Sequence, residues 1–183
     1  SGHRAFISDH PRHTVAIARL DAIGVVVSDL QRAIDFYARL GLGFPPDPDP
    51  RLVCVQGDLA ASGLIADVLD KDTASVFHLA AVVSAGAEAD FDLGYRVNLD
   101  GTRFLLEACR RLPRPARLVF ASSVAAFGGD LLEVLDDSTT PNPQTSYGTQ
   151  KLIGEYLVTD FTRKGYLDGR SLRLPTIVVR PGK

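Results

Sequence analysis

From residue 51 onward two apolar rhythms alternate along the chain. Continuous apolar runs of strand length are separated by stretches in which apolar residues recur every three or four positions, the marks of buried strands and amphipathic helices. Residues 51–59 (RLVCVQGDL), 75–83 (SVFHLAAVV), 117–123 (RLVFASS) and the closing run from residue 168 (DGRSLRLPTIVVRPGK) predict strands. Residues 61–70, 87–112 and a segment opening at Tyr147 predict helices. A strand apolar nearly throughout, as 75–83 is, is covered on both faces and belongs in a parallel sheet. Short links and right-handed crossovers then give an α/β, doubly wound parallel sheet, Rossmann-like in part.

The first fifty residues follow a different pattern. Residues 1–19 carry three of the four histidines, but Pro11 between His10 and His13 breaks any helix that would place both on one face, so a flexible leader is expected there rather than a metal site. Ile23 to Val27 is a β-branched run, and Ser28 suits a helix N-cap with Asp29 in the first turn. Leu30, Ile34, Tyr37 and Leu40 then space as one helix face, so residues 20–44 read as a βα unit. Residues 45–50 (PPDPDP) form an extended Pro/Asp-rich joint, and 51–183 the Rossmann-like core.

Composition narrows the class without naming a chemistry. With 183 residues, 45% of them apolar, and a mean hydropathy of +0.06, the chain is expected to be an ordinary globular protein with one proper core. A net charge of −2 without a Lys/Arg run argues against a nucleic-acid partner, and no apolar run reaches the ~20 residues of a membrane span. Cys54 and Cys109 have no paired spacing and are expected to be buried thiols of a cytoplasmic protein. With no methionine anywhere, Ser1 is not expected to be a natural start, and the chain reads as a processed product or a piece of something larger.

The candidate chemistry lies between Arg117 and Tyr156. Two residues four apart share a helix face, so the Tyr147 phenol and the Lys151 ammonium point into one place. A cation close to a phenol favours phenolate and is expected to lower a pKa that starts near ~10, which suits proton exchange with a substrate hydroxyl near neutral pH. A serine at the preceding strand end would hold the same oxygen. Such a site moves protons in alcohol–carbonyl chemistry, and a nicotinamide cofactor would have to carry the hydride.

These residues, Ser122-Ser123, the small-residue run to Phe127-Gly128-Gly129, and Tyr147-x-x-x-Lys151, resemble the extended short-chain dehydrogenase/reductases, the NAD-dependent epimerase/dehydratase family. The resemblance spans about residues 51–183. It implies Tyr147 as acid/base, Ser123 (with Ser122 as the alternative) as the serine orienting the substrate oxygen, and Lys151 as the residue that holds the ribose and tunes the phenol. It also implies cofactor contacts at Asp58, Leu59, Ala80, Ala81, Ser122, Pro175 and Thr176, with Tyr147 and Lys151 shared. Asp58 would take the adenine amino group, and its alternative reading is an N-cap for the helix at 61–70. Asn98 with Gly101-Thr102 matches the family's Asn-x-x-Gly-Thr and is expected to be a hydrogen-bonded structural amide, while His78 is expected to be a packed strand histidine. The wording HLAAVVS (78–84), Phe91-Asp92-Leu93 and SYGTQKxxGE (146–155) is closest to members that oxidise a secondary alcohol of a four-carbon sugar acid such as D-erythronate. NAD, a small sugar or sugar-acid substrate and a homodimer through the helices around 88–110 and 145–163 are the implied cofactor and partners.

Residues 20–44 do not share this resemblance. They are similar to the first βα unit of the vicinal-oxygen-chelate proteins, but Ala22 occupies the position where a metal-binding histidine often stands, so no metal function carries over. Nor does a glycine-rich turn follow a first strand, where backbone N–H groups would meet a pyrophosphate. Gly41-Leu42-Gly43 follows a helix instead. The chain as written is therefore expected to bind NAD weakly or not at all and to lack a C-terminal substrate lobe. A fusion, a fragment of a longer reductase, and a sequence discontinuous relative to its gene all fit. A cofactor-free scaffold without catalysis and a metal-dependent oxygen-chelate enzyme are the competing functions.

Overall fold

The computed structural model describes residues 58–60, 63–130 and 133–175. The expected leader, βα unit, Pro/Asp joint, strand at 51–57, glycine turn and Thr176 lie outside the described residues. The elements in order are α1 (Leu64–Val68), β1 (Ser75–His78), α2 (Ser84–Ala89), α3 (Phe91–Gly94), a π turn (Tyr95–Asp100), α4 (Gly101–Arg110), β2 (Arg117–Ser123), a 3₁₀ turn (Val124–Ala126), α5 (Ser146–Arg163) and β3 (Asp168–Leu174).

The three strands form a parallel sheet in the order β1-β2-β3. Ser75 pairs with Arg117 and Arg117 with Asp168, so all three strands start level. Because the order advances one way and each parallel crossover is right-handed, the helices of both crossovers lie on the same face, where α4 packs against α5. The expected α/β parallel sheet is thus present.

Hydrophobic burial is concentrated between that face and the helices. Leu118 and Phe120 of β2, Leu105, Leu106 and Cys109 of α4, and Val158 of α5 close the core, with Leu59 and Ile65 at its β1 edge and Leu167 at the foot of β3. Removing each such side chain from water contributes about 1.5–3 kcal/mol. Helix α5 passes directly over Phe120: a Cβ on Gly154 would stand 2.7 Å from the Phe120 ring. The far end of α5 closes through Gly165, at φ +74°, with Tyr166 N–H donating to Phe161 O and Gly165 N–H to Thr162 O, the paired bonds of a Schellman cap.

Three expectations change. The strand at 75–83 shortens to four residues, because past His78 the backbone at Val82 is taken by the Asn98 side chain rather than by a neighbouring strand. The long helix at 87–112 is interrupted at Asp90, whose carboxylate accepts from Leu93 N–H at 2.9 Å and restarts the helix. Asp58 does not cap the following helix. Gly63 precedes α1 without a side-chain cap, and Asp58 Oδ1 instead accepts from Ala60 N–H at 2.9 Å.

Candidate active site at the strand ends

Helix α5 begins under three constraints. Thr145 caps it, accepting from Gly148 N–H at 3.0 Å, and Glu88 of α2 accepts from Ser146 N–H at 2.6 Å. Gly148 lies so close to the 3₁₀ turn after β2 that a Cβ there would stand 2.1 Å from Ala125 O. Only glycine permits that approach, and it presses the first turn of α5 onto the tip of β2.

The four-residue spacing then aligns three side chains over the end of that strand. Tyr147 meets Ser123, Lys151 Nζ donates to Ala121 O at 2.8 Å, and Glu155 accepts from the Ser122 hydroxyl at 2.5 Å. Ser123 Oγ also accepts from Ala125 N–H at 3.1 Å, which leaves its own proton for the phenol. The two serines part company here. Ser123 faces Tyr147, whereas the Ser122 side chain is buried among β2, α5 and β3. A cofactor contact at Ser122 would have to come from its backbone.

The electrostatics depart from the sequence expectation at one point. Lys151 is expected to lower the Tyr147 pKa, yet the phenol is held above its ordinary value. Burial raises it, and the hydrogen bond with Ser123 only partly offsets that. The reason is where the ammonium ends. Lys151 Nζ lies 5.7 Å from the centroid of the Tyr147 ring and 4.9 Å from that of Phe120, bonded to Ala121 O. Only 3% exposed, Lys151 has its own pKa pushed down to about 8 by desolvation.

Beside this cluster sits a neutral one. His78 Nε2 lies 2.7 Å from Thr102 Oγ1, and the Thr102 hydroxyl donates to Asn98 O, so Nε2 carries the proton. Desolvation, with the Lys151 charge second, depresses the His78 pKa to about 3. Asn98 spans two elements. It accepts from Val82 N–H and donates to Val82 O and to Gln150 Oε1, at 2.8, 2.9 and 2.7 Å. Both residues behave as expected, one as a structural amide and the other as a packed histidine.

The remaining expected cofactor contacts spread along the strand ends. Ala80 and Ala81 follow β1, Ala80 buried and Ala81 half-buried. Asp58 is exposed and ion-paired with Arg96, and these bonds hold its carboxyl below the ordinary range, the Ala60 N–H first. The Leu59 side chain belongs to the core, and Pro175 is exposed just past β3. Glu155, Arg173 and Gln150 were not among the expected site residues. The signal available for Glu155 was its place one further turn along the Tyr147–Lys151 face.

A family model for the NAD dependent epimerase/dehydratase family matches residues 12–180. The chain belongs to that family. Among its relatives within the family, the D-erythronate dehydrogenase of Cupriavidus necator is 58% identical over 135 residues, 74% of this chain and 42% of that protein. Two solved structures show the same fold. The nucleoside-diphosphate-sugar epimerase from Agrobacterium tumefaciens superposes with a TM-score of 0.67 at 44% identity, covering 76% of this chain and 43% of that one. UDP-glucose 4-epimerase from Brucella ovis, solved in complex with NAD, gives a TM-score of 0.60 at 30% identity, covering 65% of this chain and 37% of that one. The chain thus spans about two-fifths of the length of the curated relatives it matches.

Proposed function

We propose that this chain forms the proton-transfer centre of an NAD-dependent dehydrogenase acting on a secondary alcohol of a small sugar acid of the D-erythronate class. The observation that carries this reading is the meeting of Tyr147, Ser123 and Lys151 at the tip of β2, in a chain so close to a D-erythronate dehydrogenase. The donor set fits NAD. Lys151 spends one of its three N–H donors on Ala121 O, leaving two for a ribose hydroxyl pair, and the small side chain of half-buried Ala81 permits a close neighbour past the end of β1.

Bound there, the nicotinamide supplies hydride transfer. The protein's part is the proton. Ser123 orients the substrate oxygen toward Tyr147, and Tyr147 exchanges the hydroxyl proton with it. Since burial holds the phenol protonated at neutral pH, Tyr147 is set to donate toward a carbonyl, and in alcohol oxidation it must first lose its proton. Oxidation should therefore speed up as pH rises from about 6 to about 10, and a flat profile over that range would contradict the assignment. Tyr147→Phe in the complete protein should cut turnover by at least about a hundredfold. Wild-type turnover by that variant would remove the proton-transfer role.

The cellular setting extends the same reading. A buried free thiol at Cys109 fits a reducing cytoplasm. Tyr156 on α5 and Phe91 on α3, 64% and 56% exposed, offer apolar surface on the two helices through which a homodimer is expected. Sedimentation at several protein concentrations would decide the dimer.

A further inference from the structure

The face of α5 that carries Tyr147 and Lys151 continues one turn further, to a carboxylate that the proton-transfer chemistry does not use. Glu155 is 8% exposed and fully engaged. Its Oε1 accepts from the Ser122 hydroxyl at 2.5 Å and from Arg173 Nε at 3.0 Å, and its Oε2 accepts from Arg173 Nη2 at 2.7 Å. Arg173 belongs to β3, directly across from Ser122 in the register, and its guanidinium stacks 4.7 Å from the centroid of the Phe127 ring. One carboxylate thus joins the ends of two strands, the helix, and the start of the loop after β2.

The order of these contacts matters. Tyr147, Lys151 and Glu155, four residues apart, reach Ser123, Ala121 and Ser122, three consecutive residues of one strand end. A helix held against a strand at two points can still rotate or slide by a fraction of an ångström. A third, charge-assisted and bidentate point, fixed in turn to the neighbouring strand, removes that freedom. We propose that Glu155 is a positioning residue: by clamping Ser122 and Arg173 it sets the register of α5 on β2, and so the placing of Tyr147 and Lys151 against Ser123 and Ala121. The consequence for turnover rests on the proton-transfer reading given above. The consequence for geometry does not.

The role is separable from plain stabilisation. A group that only adds stability, when removed, lowers the melting temperature and leaves each folded molecule as it was. A positioning group, when removed, changes the folded molecule. Glu155→Gln keeps shape and one acceptor but loses the charge-assisted fork, and Ser122→Ala removes one hydrogen bond and no charge, so it serves where the first variant folds poorly.

Two readouts are taken on both variants. In ¹⁵N-lysine-labelled chain, the Lys151 ammonium N–H protons, buried and bonded to Ala121 O, should exchange with water more than about tenfold faster than in wild type while the fold persists. In the complete protein, kcat for alcohol oxidation should fall by about a hundredfold in Glu155→Gln, as a sub-ångström misplacement of the proton donor would produce. Unchanged Lys151 exchange and unchanged kcat in folded variants, with only a lower melting temperature, would overturn the proposal. Faster Lys151 exchange together with wild-type turnover by Tyr147→Phe would leave the clamp standing and sink the proton-transfer reading instead.

Discussion

Two polar clusters are buried side by side behind the strand ends, and they are built on opposite principles. The one against β1 and α4 is neutral and, apart from Gln150 Nε2, which is buried without a partner, hydrogen-bonded throughout. His78 donates to Thr102, Thr102 to Asn98 O, and Asn98 to both Val82 O and Gln150. The one against β2 and α5 holds charge. The Lys151 ammonium is bonded to a single carbonyl and its other donors are free, while the Tyr147 phenol is only half buried beside Ser123. A neutral network with nearly all its groups bonded costs less to bury and specifies structure. A buried cation with unspent donors costs stability and is kept where chemistry needs it. The first cluster has the character of a wall, and the second that of the proposed site.

The sharpest way to break this arrangement is to push the two halves of the site apart. Gly148→Ala places a methyl 2.1 Å from Ala125 O, a backbone atom that cannot step aside. The first turn of α5 must lift from β2, at a cost beyond the ~3 kcal/mol of ordinary overpacking. A urea midpoint close to wild type would show that the contact is softer than its geometry.

Next in size is the pH response of the neutral cluster. His78 has a pKa of about 3 in the folded protein against an ordinary 6.5. Between those values the unfolded chain binds the extra proton, so stability contributed by the neutral ring is complete above pH 6.5 and is lost as pH falls toward 3. About 3 kcal/mol should go between pH 6.5 and 4. Other carboxyls held below their ordinary range, Asp58 and Asp136, add their own losses. The measurement is therefore the difference in that slope between wild type and His78→Asn, which has no titrating ring. Equal slopes would mean that the histidine is not held neutral.

The charged cluster should respond the other way. Lys151→Met removes a cation whose pKa burial has lowered to about 8, and with it the ammonium's approach to the Phe120 ring. Below pH 8 that cation is a burden on folding, so the variant should be more stable at pH 7 by about 1–3 kcal/mol although it has lost the donor proposed for a ribose. A lower melting temperature for Lys151→Met would mean that the bond to Ala121 O outweighs the desolvation.

How much of this was legible beforehand follows from what periodicity can encode. It gave the parallel α/β sheet and put Tyr147 and Lys151 on one helix face, because a spacing of four survives any rotation of the helix. It did not tell Ser122 from Ser123. In the run from Leu118 to Ala121 both faces are apolar, so the alternation that would reveal which serine turns toward Tyr147 is hidden. Nor did it give the sign of the Tyr147 shift. A shared face fixes where Cβ atoms point, not that a long, flexible lysine will reach to Ala121 O rather than to the phenol. The break at Asp90 was hidden for a third reason: helical spacing continues through it, and one local carboxylate–amide bond decides the matter.

The smallest expected effect tests the neutral cluster most directly. Thr102 is a one-atom relay, accepting from His78 Nε2 and donating to Asn98 O. Thr102→Val is nearly isosteric and removes both bonds at once. Asn98 O keeps its helical environment, but the His78 N–H is left buried without a partner, which costs about 1–2 kcal/mol. Turnover should hardly change, because no reacting group touches Thr102. The ring also has an alternative: by moving its proton to Nδ1 it can trade an orphaned donor for an orphaned acceptor, at a similar cost. The histidine ring ¹⁵N shifts would record that choice, with an Nε2-protonated ring in wild type and a mixture or an Nδ1-protonated ring in the variant. A variant as stable as wild type, with its ring still protonated at Nε2, would show that something other than Thr102 holds the proton in place.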